Sequence, residues 1–410
     1  MEYGLIGEKL GHSFSKEIHG KIGDYSYELK EIERGKLADF IESREFKGIN
    51  VTIPYKQDVI PMLDWVDPAA LKIGAVNTIV NRDGKLFGYN TDFLGMKLLI
   101  RKTGIDLTGK KVLILGTGGT SLTATAVAES LNATEIIHVS RSGKDDAVTY
   151  EQAYTDHKDA ACIINTTPCG MFPNFRNKPI DLEKLPLVEG VIDAIYNPVC
   201  TDLILDAKER GIKAEGGLYM LVAQAVCAAE FFFDTKYPDT LLSDIFADME
   251  RKKSNIVLVG MPGSGKSTVG AILSKKFGKE LIDTDVLIVK KAGMEITEIF
   301  EKYGEKHFRD IESEVIRDIA SDTGIIIATG GGAVLRSENV RELKHNGKLY
   351  LLDRPVENIV PTDDRPLADT FDKVKKRYEE RKPIYEACCD EVVDASVGIE
   401  EVVDALLSKW

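Results

Sequence analysis

Between Leu258 and Thr268 the chain reads LVGMPGSGKST, and the spacing of Gly260, Gly263, Gly265, Lys266 and Ser267 is that of a loop built to wrap phosphates. Glycines at these positions let backbone N–H groups turn inward, a lysine adds positive charge to the outer phosphates, and the next hydroxyl faces a magnesium ion. The apolar run before the loop reads as a strand and the residues after it as a helix. Gly260, Gly263, Ser264, Gly265, Lys266, Ser267 and Thr268 are therefore the candidate ATP site, with Ser267 a candidate magnesium ligand.

A second cradle, of another design, lies at 113–121 in LILGTGGTS. Gly116, Gly118 and Gly119 form a partial dinucleotide fingerprint, with Ser121 standing at the last position. A site for NAD normally presents an acidic residue to the ribose at the end of the next strand. Here that end reads VSRSGK, and Ser140, Arg141 and Ser142 suit the extra phosphate of NADP. The two cradles pose two nucleotide sites in one chain.

The elements that must carry them alternate short apolar runs with amphipathic segments, the pattern of parallel sheets covered by helices in an α/β protein. YGLIG, GINVTIP and GAVNTIV read as strands of a first lobe; KKVLILGTGG, EIIHVSR, ACIINTTP and GVIDAIYNP read as the buried strands of a Rossmann-type lobe. A helix-rich stretch from about 218 to 249 follows, then the polar run ERKKSN. Five further strands are expected in IVLVG, ELIDTD, GIIIATGGG, KLYLLD and DEVVDAS. At 410 residues the chain is long for one core, and roughly 100–200 residues per domain favours two or three. We place the boundary at about 250–254.

The net charge of −13 argues against binding nucleic acid or an anionic membrane through a general basic field. Anionic ligands must be met by local charges. No run of about 18 apolar residues and no basic leader followed by an apolar stretch is present, and the six cysteines show no CxxC pair. A reducing cytoplasm is the expected location. The histidines, His12 among them, are scattered without metal-ligand spacing.

Seven motifs of residues 1–250 occur in the order found in shikimate dehydrogenases: GHSFS, NVTIPYK, GAVNT, NTD, NTTPCGM, YNPVCT and GGLYMLVAQA. This part resembles that family. The resemblance implies that Lys56 supplies the proton and stabilises the alkoxide when a ketone is reduced, with Asp92 as its partner. It also implies that Ser13 and Ser15 bind a carboxylate, that Thr52, Asn77 and Gln224 read hydroxyls with Tyr196 nearby, and that Gly217 and Met220 lie at the NADP. The substrate lobe is then discontinuous, residues 1–95 joined by 218–250, with the NADP lobe of 96–217 between.

Residues 254–410 resemble shikimate kinase through DTD, GEKHFRDIE, ATGGG, DRPL and ERKPIY around the phosphate loop. By that resemblance the fold is a P-loop parallel-sheet domain of the nucleoside-monophosphate-kinase type with a mobile lid. Asp283 organises magnesium, Asp285 holds the ring hydroxyls and takes a proton, and Arg309 and Arg381 grip the carboxylate. Gly331 and Gly332 bring backbone to the substrate, and Arg365 closes over the phosphates. The stretch 354–364, RPVENIVPTDD, is shorter than the usual lid and lacks the second arginine that normally precedes RPL. The implied protein is a fusion reducing 3-dehydroshikimate with NADPH and then phosphorylating shikimate with magnesium ATP. Two other readings stay open: a quinate or quinate/shikimate oxidoreductase in the first part, and an ATP-binding regulatory module without turnover in the second.

Overall fold

The apolar runs pair into three separate sheets. The computed structural model describes residues 1–11, 13–144, 146–359 and 371–410, so His12 and Arg365 lie outside the described residues, as does most of the expected lid. The chain divides into two compact units, Met1–Asp248 and Met249–Trp410, and the division falls inside the helix Asp239–Lys253. The polar run ERKKSN is thus helical up to Lys253. Its Arg251, Lys252 and Lys253 stand in the last turn, where the helix dipole favours cations.

The first sheet of unit one comprises β1 (Tyr3–Gly7), β2 (Tyr27–Glu31), β3 (Gly48–Val51), β4 (Trp65–Val66), β5 (Thr78–Arg82) and β6 (Lys85–Tyr89), in the order β2-β1-β3-β5-β6-β4. It is mixed rather than parallel: β3 with β5 and β5 with β6 run antiparallel. For β5 and β6 the reason is local. Asp83 and Gly84 both take positive φ, 52° and 79°, which closes a two-residue hairpin between Arg82 and Lys85.

The second sheet contains β7 (Lys111–Leu115), β8 (Glu135–Val139), β9 (Cys162–Asn165), β10 (Gly190–Asp193) and β11 (Lys213–Glu215), all parallel in the order β11-β10-β9-β7-β8. Leu113 and Leu115 enter one core and Val112 and Ile114 the other. Burial on both faces explains why the strand reads as an unbroken apolar run. Two helices tie the lobes together. Thr91–Thr103 buries Met96, Leu99 and Ile100 in a core shared with the second sheet, while Leu218–Phe233 lays Ala228 and Phe232 against Tyr3, Leu5 and Val80 of the first. They meet at Gly95, where a Cβ would stand 2.8 Å from the Met220 carbonyl oxygen.

Unit two is built on β12 (Asn255–Val259), β13 (Leu281–Asp283), β14 (Ile326–Ala328), β15 (Gly347–Asp353) and β16 (Glu391–Asp394), parallel throughout in the order β13-β14-β12-β15-β16. The phosphate loop leaves the end of the central β12 and enters the helix Lys266–Phe277. That is the crevice at the carboxyl ends of the strands where open α/β sheets bind ligands.

Two candidate active sites

A cavity of about 640 Å³ in unit one gathers Ser13, Ser15, Thr52, Lys56, Asn77, Asp92, Tyr196, Gly217, Met220 and Gln224. Lys56 follows β3, and Asp92 lies in the first turn of the helix Thr91–Thr103, yet Lys56 Nζ donates to Asp92 Oδ2 at 2.6 Å. That turn is pinned from three sides. Asn90 caps it by accepting from Phe93 N at 3.0 Å, and Asn90 Nδ2 donates to the Ala75 carbonyl. Asn77 Oδ1 accepts from Thr91 N at 2.6 Å. The side-chain carbonyl of Asn77 therefore serves the helix start, and its NH2 is the group it can offer a ligand.

Ser13 Oγ accepts from Ser15 N at 3.2 Å, and Gln224 Nε2 donates to the Leu221 carbonyl at 2.9 Å. Tyr196 packs edge-on against Phe14, and burial raises its phenol pKa. Sequence reasoning missed Asn50, which lines the same cavity. Its Oδ1 accepts from Tyr27 Oη at 2.7 Å and its Nδ2 donates to Thr78 Oγ1 at 3.0 Å. Behind Tyr27 the imidazole of His19 stacks at 3.8 Å between ring centroids and bonds Tyr25 Oη through Nδ1. Burial pushes its pKa down to about 3. No spacing rule links these residues.

Gly119, Thr120 and Thr123, at the start of the helix Gly119–Ser130, line this cavity too. Gly116 has φ 104°, and a Cβ there would stand 2.9 Å from Thr166 Oγ1. Above Gly118 and Gly119 nothing lies within 4 Å of a built Cβ, which is room for a pyrophosphate at the helix N-terminus. Gly116 N donates to the Val139 carbonyl, so the glycine turn adjoins the loop after β8. There Ser140 Oγ accepts from Gly143 N, while Arg141 and Ser142 are exposed. These residues fit a dinucleotide carrying an extra phosphate.

The second cavity, about 720 Å³, lies wholly in unit two. Gly260, Gly263 and Gly265 take φ of 143°, 83° and 97°, values that favour glycine. Lys266 is buried and donates to the Gly260 and Met261 carbonyls at 2.9 and 2.8 Å. Thr268 lines the cavity, and Ser264 is buried with no hydrogen bond from its Oγ among the described residues. Ser267 Oγ donates to Asp283 Oδ2 at 2.7 Å. A hydroxyl beside a carboxylate supplies the hard oxygen donors magnesium takes, so the pair fits that ion.

The same cavity is lined by Asp285, Arg309, Glu312, Arg377, Arg381 and the triple glycine. Gly304 breaks the helix Ile296–Ile319 with φ 79°, and the following segment carries Arg309 inward. Arg309 Nη1 donates to Glu312 Oε2 at 2.7 Å, and its guanidinium fills the space that a Cβ would take at Gly332. A Cβ at Gly331 would strike Pro262, and one at Gly330 would stand 2.8 Å from both Asp285 Oδ1 and Glu312 Oε1. The three glycines thus admit their neighbours' side chains. Arg381 Nη1 donates to the Gly331 carbonyl at 2.9 Å. Burial raises the Glu312 pKa against the opposing pull of Arg309. Glu312 as the partner of Arg309 and Arg377 as a lining residue were not anticipated; the only signal for Arg377 was its place four residues before Arg381.

A dinucleotide-type sheet facing a lysine–aspartate pair makes unit one a dinucleotide-dependent oxidoreductase, and a phosphate loop facing an arginine-lined pocket makes unit two a small-molecule kinase. The particular families follow from comparison with known proteins. Residues 5–79 match the family model of the shikimate dehydrogenase substrate binding domain, and residues 262–410 that of shikimate kinase. A shikimate dehydrogenase (NADP(+)) of Clostridium perfringens (strain SM101 / Type A) is 36% identical over 266 residues, covering 60% of this chain and 98% of its own. That of Geobacillus kaustophilus (strain HTA426) is 39% identical over 250 residues, covering 56% and 91%. Among solved structures, a chorismate mutase/shikimate 5-dehydrogenase fusion protein from Clostridium acetobutylicum aligns with a TM-score of 0.58 at 34% identity, over 61% of this chain and 97% of that one. Shikimate 5-dehydrogenase from Thermus thermophilus, in complex with NADP(H) and shikimate, aligns with a TM-score of 0.55 at 27% identity, over 60% and 99%. The chain belongs to the shikimate dehydrogenase family through its first part and carries a shikimate kinase domain in its second, two enzymes of the shikimate pathway fused in one chain.

Proposed function

We propose that unit one reduces 3-dehydroshikimate to shikimate and that unit two phosphorylates shikimate at its 3-hydroxyl. The observation that carries this reading is the union, in each cavity, of a cofactor cradle with groups suited to a small hydroxylated acid. When bound, NADPH supplies the hydride and magnesium ATP the phosphoryl group. Lys56 gives a proton to the carbonyl oxygen as it gains charge, and Asp92 holds the ammonium in place at 2.6 Å. Ser13 and Ser15 bind the carboxylate, and Thr52, the Asn77 NH2 and the Gln224 carbonyl read the hydroxyls. Arg141 with Ser140 and Ser142 meets the extra phosphate of NADP, which disfavours an NAD-linked quinate oxidoreductase.

In unit two, Lys266 and the loop amides hold the phosphates, Ser267 and Asp283 the magnesium, and Arg309 and Arg381 the acceptor's carboxylate. Asp285 takes the proton of the attacking hydroxyl. The substrate lobe is 1–95 with 218–250, the NADP lobe 96–217, and the kinase domain 254–410. A reducing cytoplasm suits the six free cysteines. Among the described residues no helix is long and apolar enough to cross a membrane. The test is a product assay on the intact chain with 3-dehydroshikimate, NADPH and magnesium ATP. Shikimate 3-phosphate that requires both nucleotides is expected. Shikimate accumulating alone would reject the kinase half and favour an ATP-binding module without turnover, and no consumption of 3-dehydroshikimate would reject the reductase.

A further inference from the structure

The helix Phe371–Cys388 turns Val374, Arg377, Tyr378, Arg381 and Tyr385 away from solvent, spaced three or four residues apart along one face. Such a face normally buries apolar residues, yet two of these five are arginines whose side chains line the 720 Å³ cavity. Arg381 is anchored on the Gly331 carbonyl. Arg377, one turn earlier, makes no hydrogen bond or ion pair among the described residues, and its Nη1 is shut off from solvent without a partner. Arg377 as a whole is half-buried, but a nitrogen shut off from water normally makes a hydrogen bond, and Nη1 lacks one among the described residues.

The charges around it identify the end of the cavity concerned. Burial and the repulsion of Arg381 lower the Arg377 pKa; Arg309 acts in the same sense, and Glu305 and Glu380 oppose it. Glu305 and Glu380 are exposed, and Glu305 already lies 3.3 Å from Arg309. Lys266 of the phosphate loop is not among these neighbours. Arg309, Arg377 and Arg381 line the cavity together with the carboxylates of Asp285, Glu295 and Glu312. Arg309 is already engaged by Glu312 and Glu305, and Arg381 by the Gly331 carbonyl, whereas the Arg377 guanidinium is still able to bond an anionic ligand.

We propose that Arg377 is a third acceptor-binding guanidinium, which with Arg309 and Arg381 engages the acceptor's carboxylate and makes the site select a monoanionic acid over its neutral analogue. The inference rests on the kinase reading of unit two. It predicts that the cost of losing Arg377 depends on the acceptor's charge, which a merely structural arginine would not produce.

The test compares the full chain with Arg377→Gln and Arg377→Lys, using shikimate and its methyl ester as acceptors and magnesium ATP as donor. For Arg377→Gln, the shikimate KM is expected to rise about 10- to 100-fold, the range of a lost charge-assisted hydrogen bond. The ATP KM should be unchanged, kcat little altered, and the preference for acid over ester reduced. Arg377→Lys should recover part of the preference. Thermal unfolding of the ligand-free variant should show no loss of stability, because the charge removed had no partner. An unchanged shikimate KM, a rise confined to the ATP KM, or equal losses for acid and ester would overturn the proposal while leaving the kinase reading intact. A wild-type chain that binds ATP but phosphorylates neither acceptor would remove both.

Discussion

The cavity of unit one holds its reactive charges as a pair, Lys56 on Asp92, whereas the cavity in unit two is lined by five cations, Lys266, Arg309, Arg354, Arg377 and Arg381, against the four carboxylates of Asp283, Asp285, Glu295 and Glu312. The difference follows the charge each chemistry moves. Hydride transfer to a ketone creates one alkoxide that a single proton neutralises, so a compact donor beside a fixed carboxylate suffices. Phosphoryl transfer brings several negative charges together with an anionic acceptor, and a surplus of cations offsets them. Backbone is used differently as well. Gly118 and Gly119 leave open space, while Gly331 and Gly332 are filled by Pro262 and the Arg309 guanidinium.

The contrast is expected to break most sharply at Lys56, the proposed proton donor. Lys56→Ala is expected to lower kcat for reduction by about 10²- to 10⁴-fold while phosphorylation by the same preparation continues at the wild-type rate. A parallel fall in both activities would mean that Lys56 supports the fold rather than the chemistry. The mirror experiment is Lys266→Ala, which should cost phosphoryl transfer on the order of 10²- to 10³-fold and leave the reductase untouched. Residual kinase activity within a few-fold of wild type would leave Lys266, already bonded to the Gly260 and Met261 carbonyls, as a loop brace.

Packing at the triple glycine sharpens the comparison. In Gly332→Ala the added Cβ would collide with the Arg309 guanidinium, which must leave. The shikimate KM of the kinase should rise about 10- to 100-fold. Steady-state kinetics with shikimate varied at saturating ATP would read it, and an unaltered KM would separate Arg309 from acceptor binding. A smaller effect is expected at Arg141→Ala, which should reduce the preference for NADPH over NADH by about tenfold. Equal losses with both cofactors would leave the loop after β8 without a role in phosphate recognition.

The last prediction concerns stability. His19 has a folded pKa of about 3 against the usual 6.5, so the unfolded chain takes up the proton more readily between those values. Stability contributed by neutral His19 is full above about pH 6.5 and falls as the pH drops below it. Between pH 7 and 5 the loss should be roughly 1–2 kcal/mol, and His19→Gln should flatten that part of the profile. Denaturant unfolding of unit one at several pH values would measure it, and an identical slope in the variant would place the acid sensitivity elsewhere.

Much of the fold was legible because parallel strands buried on both faces, such as β7 and β12, are short unbroken apolar runs between glycine-rich turns. The mixed first sheet is less legible: the Asp83–Gly84 hairpin signal is in the chain, but the α/β alternation around it is the pattern of a parallel sheet. Of the sites, the phosphate loop and the glycine turn were legible from residue types alone. The roles of Lys56 and Asp92 came from resemblance, since nothing local says that a loop lysine and a first-turn aspartate will meet.

By itself the sequence determined the two cradles and the strands beneath them. A phosphate loop is a contiguous stretch whose glycine spacing dictates where its N–H groups point, so no distant residue is needed to define it. Tertiary structure alone decided that the side-chain carbonyl of Asn77 holds the Asp92 turn, that Arg309 occupies the space Gly332 leaves, and that Arg377 lines the second cavity with its Nη1 unpartnered among the described residues. These depend on side chains from separate elements converging at distances of a few ångströms. Such distances follow from how helices and sheets pack, which the order of residues along the chain encodes only through the whole fold.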